Sequence, residues 1–409
     1  MDKPKIRPVE AFPIEHQDQM LICLRDPAGL APEAVLLGMG AYFLVTMFDG
    51  SNTLLDLQAA FAKRFGDIIP AERLNELITA LDKAGFLESP AFAERLKQVR
   101  EEFSRSPERP AIHAGLCYEQ EPAKLREEII RYFDPPAGPG TVATSGDGPP
   151  LAGLIAPHID PRRGGPAYAH AYGELVRRKP PELVVILGTS HYGTGPELFT
   201  ATRKHYSTPL GALETDRDFI ERLAARYTRG DLFADELLHR NEHSIEFQAL
   251  FTAWALGTHG YKVVPILLCS FHEMVARGVT PASDPRVGAM IDALGAELAA
   301  ERRSTLVIAG VDFAHVGRKF GDSFSVDEGV VNWVKRDDLA LIETITRGDP
   351  AAFFADIARD GDRRRICGFA PMYTQLELLR GRRGRLLKYD IALEAQTGSA
   401  VSFASVAIE

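Results

Sequence analysis

Histidines follow directly after three of the buried strands that the sequence predicts. His158 ends the segment LAGLIAPH, His191 ends ELVVILGTSH, and Asp312 and His315 close STLVIAGVDFAH. Because ligands of open α/β sheets bind beyond the carboxyl ends of the strands, we expect these side chains to converge on one pocket. Two neutral imidazoles with one carboxylate or thiolate leave a coordination position open on iron, zinc or copper. The pattern therefore predicts a reactive metal centre at this edge of the sheet.

A fourth histidine, His243, lies in the segment NEHSIEFQALF, in which Asn241 or Ser244 can cap a helix. A helix N-terminus attracts anions, so His243 and Glu242 are expected to line a polar pocket rather than to bind metal. A plain capping segment explains the same residues equally well.

Two of the four cysteines compete as a thiolate ligand. Cys367 follows the arginines 363–365 and precedes a turn into a helix, and both features lower a thiol pKa. Cys269 follows the strand VVPILL, and spacing alone does not choose between the two. Cys23 and Cys117 are interpreted as structural. Without a CxxC pair, the scattered cysteines exclude a disulfide framework, a Cys-rich zinc ribbon and a Cys-ligated iron–sulfur cluster.

The elements that must position these residues alternate between strand and helix. Short apolar runs predict buried strands and the stretches between them predict helices, which together indicate an α/β fold whose sheet is flanked by helices. The alternating tail predicts a terminal β-hairpin over 385–408. The predicted strands are 151–156, 183–187, 263–268 and 305–309, and the predicted helices are 121–133, 168–178, 216–227, 244–256 and 285–300.

The first hundred residues predict a separate small module of helices with short flanking strands. Leu and Phe recur at spacings of three and four over 54–65 and 74–86, with Ser51 or Asn52 as the cap of the first helix. A polar helix is expected over about 91–103. We divide the chain into a module over 1–95, a linker over 96–110 and an α/β domain over 111–409.

Composition narrows the classes of partner. The 409 residues carry 47 Lys and Arg against 56 Asp and Glu, a net charge of −9, which disfavours nucleic-acid binding. The polar, Pro-rich start predicts no signal peptide, and the apolar run over 34–48 is too short to span a membrane. We therefore expect a cytoplasmic protein with no membrane partner.

With these residues in view, the chain resembles the MEMO-like family, known in prokaryotes as AmmeMemoRadiSam system protein B, over about residues 110–409. Six segments carry the resemblance in order: AGLCYEQEPAKLREEIIRYF, LIAPHID, VVILGTSHYG, NEHSIEFQ, VIAGVDFAHVG and ICGFAPM. The family's fold is similar to that of class III extradiol (ring-cleaving) dioxygenases, which hold non-haem iron on histidines and a carboxylate.

The resemblance implies a metal centre held by His158, His191 and Cys367, which favours Cys367 over Cys269. The implied cofactor is a divalent metal, with iron first. Copper and zinc are alternatives, because a thiolate in place of a carboxylate makes the site softer. The function implied is that of an oxidoreductase on an unknown small-molecule or peptide substrate. Its rivals are a non-catalytic binding or scaffold protein on the same fold and a zinc-dependent hydrolase.

The resemblance also implies the residues that handle protons. Asp312 and His315 match a further pocket pair, in which Asp312 would orient His315 as the general acid or base, and His243 would lie near the pocket as a third catalytic residue. One departure is visible: the family's PHAGY reads Pro157-His158-Ile159-Asp160 here. Asp160 is expected to add a carboxylate to the pocket or a hydrogen bond to a ligand histidine.

Residues 1–95 resemble a PqqD-like winged-helix domain through FDGSNTLLDLQAAFAKRFG and LITALDKAGFLE. Such domains are similar to modules that present peptides to maturation enzymes, which implies a peptide partner or a partner of a radical-SAM system. The other winged-helix role, DNA binding, is disfavoured because residues 1–110 carry 13 Lys and Arg against 17 Asp and Glu.

Overall fold

The computed structural model describes residues 1–16, 19–26, 28–31, 33–141, 146–193 and 195–409. The chain divides into two compact units, Met1–Ser106 and Pro107–Glu409. None of the helices in these described stretches has both the length and the apolar character needed to cross a bilayer.

The described residues of the first unit combine a three-stranded antiparallel sheet, in the order β1–β2–β3, with four helices. The helix predicted over 91–103 extends to residue 105, so much of the stretch assigned to a linker is helical. The elements are β1 (Glu10–His16), β2 (Gln19–Arg25), β3 (Val35–Leu37), α1 (Met39–Val45), α2 (Leu54–Phe65), α3 (Ala71–Lys83) and α4 (Pro90–Arg105).

Helix α2 begins where its periodicity predicts, but its cap is Thr53 and not Ser51 or Asn52. The Thr53 hydroxyl accepts from the Asp56 N–H while the Asp56 carboxylate accepts from the Thr53 N–H, which makes a capping box. The backbone N–H groups of Ser51 and Asn52 are taken by the Asp49 carboxylate instead. The Ser51 hydroxyl also donates to Asp49 and the Asn52 side-chain amide donates to the Met47 carbonyl oxygen, so both side chains are engaged in the turn before Thr53.

The second unit is built on one large sheet with helices on both faces. Its elements are β4 (Glu108–Arg109), α5 (Pro122–Arg131), β5 (Gly153–Ala156), α6 (Pro161–Val176), β6 (Leu183–Thr189), β7 (Phe199–Ala201), β8 (His205–Thr208), β9 (Gly211–Leu213), α7 (Arg217–Arg226), α8 (His243–Leu256), β10 (Lys262–Leu268), α9 (His272–Arg277), α10 (Pro285–Ala300), β11 (Thr305–Gly310), β12 (His315–Gly317), α11 (Glu328–Arg347), α12 (Pro350–Ala358), α13 (Phe369–Leu378), β13 (Gly384–Glu394) and β14 (Ser399–Ile408).

The order of the large sheet is β12–β14–β5–β11–β6–β10–β7, with β13 paired to β14. Strands β5, β11, β6 and β10 run parallel, as their continuous apolar runs predict, and the hairpin predicted over 385–408 joins them antiparallel. Alternate residues of β6 pack into two separate cores: Val185 and Leu187 into one, Val184 and Ile186 into the other. The α/β fold with a sheet flanked by helices is therefore confirmed.

Helix α6 begins at Pro161, seven residues before the start that the sequence predicts. The missed turns contain Gly164, Gly165 and Pro166, which are poor helix formers. Packing explains the second glycine, because a Cβ on Gly165 would lie 2.3 Å from the ring of Tyr132. Close contact with that ring therefore outweighs the low helix propensity.

Glycines at the strand ends bring α8 down onto the sheet. A Cβ on Gly310 would lie 2.7 Å from the Ser244 carbonyl oxygen, and one on Gly188 would lie 2.5 Å from the Ile245 side chain. Both distances are shorter than any van der Waals contact, so only glycine lets the first turn of α8 lie directly over the ends of β6 and β11. This approach sets the position of the residues that begin α8.

We expect Gly310→Ala to destabilise the protein by about 1–3 kcal/mol, because the added methyl group must push α8 away from the sheet. The control is Gly295→Ala in α10, where the nearest atom to an added Cβ lies at 3.8 Å. This control should leave the stability unchanged or raise it by up to about 1 kcal/mol, since alanine favours a helix. Urea denaturation of both variants measures the difference, and equal effects would contradict the packing argument.

Candidate metal centre

The three residues that the family resemblance implies as metal ligands lie side by side at the carboxyl edge of the parallel strands. His158 and His191 each lie two residues beyond the end of a strand, β5 and β6 respectively, and Cys367 lies two residues before α13. One donor atom of each residue lies within 4.8 Å of the others. The Cys367 Sγ is 3.2 Å from the His158 Nε2. We call His158, His191 and Cys367 the donor cluster.

Hydrogen bonds fix the tautomer of both imidazoles in the donor cluster. The His158 Nδ1 lies 3.0 Å from the carbonyl oxygen of Gly310, which can only accept a hydrogen bond. The His191 Nδ1 lies 3.0 Å from a carboxylate oxygen of Glu242. Nδ1 therefore carries the proton in each ring, and Nε2 carries the lone pair that a metal needs.

Glu242 is the buried carboxylate that organises this edge. It caps α8 by accepting from the Ser244 N–H, and it also accepts the backbone N–H of His191 at 2.8 Å. The same carboxylate lies 3.2 Å from the His243 Nδ1. Burial alone would raise the pKa of Glu242, but His191 and His243 hold that pKa well below its usual value. Glu242 therefore stays ionised between two imidazoles.

His243 is brought into the site as the first residue of α8. Its ring stacks on that of His191 with centroids 4.7 Å apart and lies 5.2 Å from the ring of His158. Burial lowers the pKa of His243 and that of His158 well below the ordinary imidazole value. Both rings are therefore neutral at pH 7 and able to bind a metal or accept a proton.

Asp312 lies against the donor cluster and holds its backbone. One carboxylate oxygen accepts the N–H groups of His158 and Ile159 at 3.0 and 3.1 Å, and burial raises the pKa of Asp312 to about 6. The other oxygen lies 3.7 Å from the His158 Nε2. The Nδ1 of His315 bonds the Phe313 carbonyl oxygen at 3.1 Å, and burial lowers the pKa of His315 while the charge of Asp312 opposes that shift.

The expectation that arginines lower the thiol pKa of Cys367 is wrong. Arg364 pairs with the buried Asp338 and Arg365 pairs with Asp322, so the charge of each guanidinium group is balanced by a carboxylate. Burial instead raises the pKa of Cys367 well above that of an ordinary thiol. A thiolate at this position therefore needs a bound cation to stabilise it.

Two other sequence candidates lie outside the donor cluster. Cys269 is buried near Ser190, and burial raises its thiol pKa. Asp160 caps α6, where its carboxylate accepts the Arg162 N–H at 2.8 Å. The expectation that Asp160 bonds a ligand histidine is therefore replaced by a capping role.

Sequence reasoning missed His113, which lies beside His243 with ring centroids 5.9 Å apart. The His113 Nδ1 is 2.8 Å from Glu246, one turn beyond Glu242 on α8, and the His113 N–H donates to the same carboxylate at 2.9 Å. Glu246 is fully buried and pairs with Arg109. A signal was present, because His113 directly precedes the AGLCYEQ segment and EHSIE carries two glutamates four residues apart.

Comparison with known proteins identifies relatives along the whole chain. A family model described as "Memo-like protein" matches residues 109–407. A MEMO1 family protein of Aquifex aeolicus is 31% identical over 407 residues, covering 99% of this chain and 99% of that protein. One of Thermus thermophilus is 29% identical over 350 residues, with 86% and 97% covered. One of Methanopyrus kandleri is 32% identical over 284 residues, with 68% and 90% covered.

We expect the contribution of the buried Glu246 to the stability of the protein to be lost in acid. Burial opposes its ionisation, but Arg109 and His113 lower the pKa of Glu246 from 4.5 to about 2. Its contribution is therefore complete above the unfolded value of 4.5 and is lost as the pH falls toward 2. Glu246→Gln leaves Arg109 as an uncompensated buried charge, so we expect a loss of about 3–5 kcal/mol at pH 7.

Urea denaturation at pH 7 and pH 3 measures this loss, which should shrink at the lower pH. The control is Glu127→Gln on the exposed face of α5, which should change stability by less than about 0.5 kcal/mol. A loss for Glu246→Gln that stays the same at both pH values would contradict the assignment.

Proposed function

The chain belongs to the Memo-like protein family, and from that premise we propose that it is a metal-binding protein with a non-haem-iron, dioxygenase-like site. The proposed activity is that of an oxidoreductase on an unknown small-molecule or peptide substrate. Likeness of the α/β unit to class III extradiol dioxygenases is part of this proposal.

The observation that carries the proposal is the donor cluster itself. Two imidazoles with their Nε2 lone pairs fixed and one thiol offer donors within 4.8 Å of one another. Two nitrogen donors and one sulfur donor suit iron, copper or zinc and leave coordination positions for a substrate. Iron is proposed first because of the dioxygenase likeness, with copper or zinc as alternatives because of the thiolate. The bound ion would supply Lewis-acid and redox chemistry.

The remaining residues would position the site and handle protons. Glu242 holds the ring of His191 through Nδ1, and Asp312 holds the backbone beside His158, so both ligands are preorganised. His243 stacks on His191, and His315 has its Nδ1 bonded to a backbone carbonyl. We assign His243 and His315, with Asp312, to proton transfer with the substrate.

We further propose that the first unit is a PqqD-like winged-helix module that recognises a peptide or protein, including a partner in a radical-SAM system. Support comes from its three-stranded sheet and helices and from the acidic balance of residues 1–110, which disfavours nucleic acid. The Memo-like match begins at residue 109, yet the Aquifex aeolicus relative covers 99% of the chain. That relative therefore has a counterpart of this unit. A cytoplasmic location without a membrane partner is part of the same proposal.

Metal content tests the donor cluster directly. Protein purified without added metal should retain about one transition-metal ion per chain, and His158→Ala/His191→Ala should retain less than about a tenth of it, because two of three ligands are gone. The control is His16→Ala/His259→Ala, which alters two exposed histidines outside the donor cluster. Equal metal content in the double variant and the unchanged protein would overturn the proposal.

The same preparations separate the rival functions. Oxygen uptake with the iron-loaded protein and a panel of catechols supports the oxidoreductase. Turnover that persists with zinc and needs no oxygen supports a zinc hydrolase with the same three ligands. Metal retention without turnover in either form supports a binding or scaffold protein, a reading to which the altered PHID segment lends weight.

Cobalt substitution tests the choice of cysteine. Co(II) bound to a thiolate absorbs through sulfur-to-metal charge transfer, so the unchanged protein should show this near-ultraviolet band. Cys367→Ser should abolish the band while Cys269→Ser, at the competing buried cysteine, should keep it. Loss of the band in Cys269→Ser but not in Cys367→Ser would contradict the proposal and identify Cys269 as the ligand.

A further inference from the structure

The histidines of this site share one arrangement that extends beyond the donor cluster. In each of them Nδ1 lies beside an oxygen acceptor of the scaffold, which leaves Nε2 on the opposite edge of the ring. The pairs are His113 with Glu246, His158 with Gly310 O, His191 and His243 with Glu242, and His315 with Phe313 O.

His113 stands beside this group at a partly exposed position. Its side chain is 19% exposed, against 2% for His158 and 26% for His191. The His113 ring contacts those of His243 and Phe247, with centroids 5.9 and 5.7 Å away. His113 is therefore partly exposed and lies beside His243, whose ring stacks on that of the donor His191.

The carboxylate behind His113 is built to stay ionised. Glu246 is fully buried, pairs with Arg109 and accepts the Tyr118 hydroxyl at 2.5 Å. Arg109 is itself fully buried and is held by the carbonyl oxygens of His239 and Glu242. A carboxylate fixed in this way at the Nδ1 of His113 has the arrangement of a carboxylate that orients a catalytic imidazole.

A purely structural role does not require the ring. The backbone N–H of His113 already bonds Glu246, and Arg109 and Tyr118 tie the same segment to the same carboxylate. The segment is therefore attached to α8 at three points without the imidazole. What the ring adds is an imidazole beside His243 whose Nε2 lies on the edge opposite Glu246.

We propose that His113 is the proton acceptor for a hydroxyl-bearing ligand of this site and that Glu246 is its positioning residue. The inference rests on the proposed function, because the ligand would lie beside the donor cluster. In the step, the O–H bond of the ligand breaks and an N–H bond forms at the His113 Nε2. The oxyanion stays beside the donor cluster while the proton stays on the His113 Nε2 as an imidazolium, and the proton returns to the ligand oxygen when the ligand leaves, so no electrons are transferred.

The probe is 4-nitrocatechol, an acidic aromatic diol, titrated into the zinc-loaded full-length protein. Calorimetry in buffers of different ionisation enthalpy gives the number of protons released per probe bound. The test variant is His113→Asn, whose side-chain amide keeps a donor for Glu246 at the position of Nδ1 but has no Nε2. The control is His259→Asn, at an exposed turn.

Near pH 7, the unchanged protein and His259→Asn should release about one proton fewer than His113→Asn, because His113 retains the ligand's proton. A melting temperature of His113→Asn within a few degrees of the unchanged protein shows that the fold is kept. If that variant fails to fold, Tyr118→Phe serves instead. This change removes the hydroxyl that donates to Glu246. The number of protons released should then be higher than in the unchanged protein, by less than one proton.

Equal proton release in His113→Asn and the unchanged protein, with zinc uptake intact in both, would overturn the inference and leave the proposed function standing. Absence of zinc uptake or probe binding by the unchanged protein would overturn the proposed function and the inference with it. The two failures are therefore distinguishable.

Discussion

The contact on which the rest of this site depends is the buried carboxylate of Glu242 between two imidazoles. It fixes the proton of His191 on Nδ1, stands beside His243 and caps α8. An ionised group with a side chain only 1% exposed would be costly unless it were paired. Contacts with the histidines that Glu242 orients offset that cost. The helix cap and the geometry of the ligand histidines therefore depend on one another.

The sheet makes this contact possible. At the carboxyl edge of strands β5, β11 and β6, Gly310 pairs in register with Ala156 on one side and with Gly188 on the other. Residues placed two or three positions beyond these ends meet at one edge, although His158 and Asp312, for example, lie 154 residues apart along the chain. The glycines at two of these positions let α8 descend far enough for Glu242 to reach His191. The packing of α8 on the sheet therefore also sets the geometry of the site.

Much of this arrangement could be predicted from the sequence. Apolar runs identified the four parallel strands, and the histidines that follow them were expected to converge because parallel strands share one carboxyl edge. The position of Cys367 was not predictable from spacing and came from the family resemblance. Its thiol pKa was predicted in the wrong direction, because sequence proximity to Arg364 and Arg365 does not reveal that both arginines pair with distant aspartates. His113 was missed because its partner, Glu246, is 133 residues away.

X-ray absorption at the metal edge of the zinc-reconstituted protein identifies the ligands of the donor cluster directly. We expect one sulfur scatterer at about 2.3 Å and two imidazole nitrogens at about 2.0–2.1 Å. Replacing Cys367 by serine should remove the sulfur shell and leave the imidazole scattering. A zinc site with no sulfur scatterer, or one whose imidazole scattering survives when His158 and His191 are both replaced, would contradict this ligand assignment.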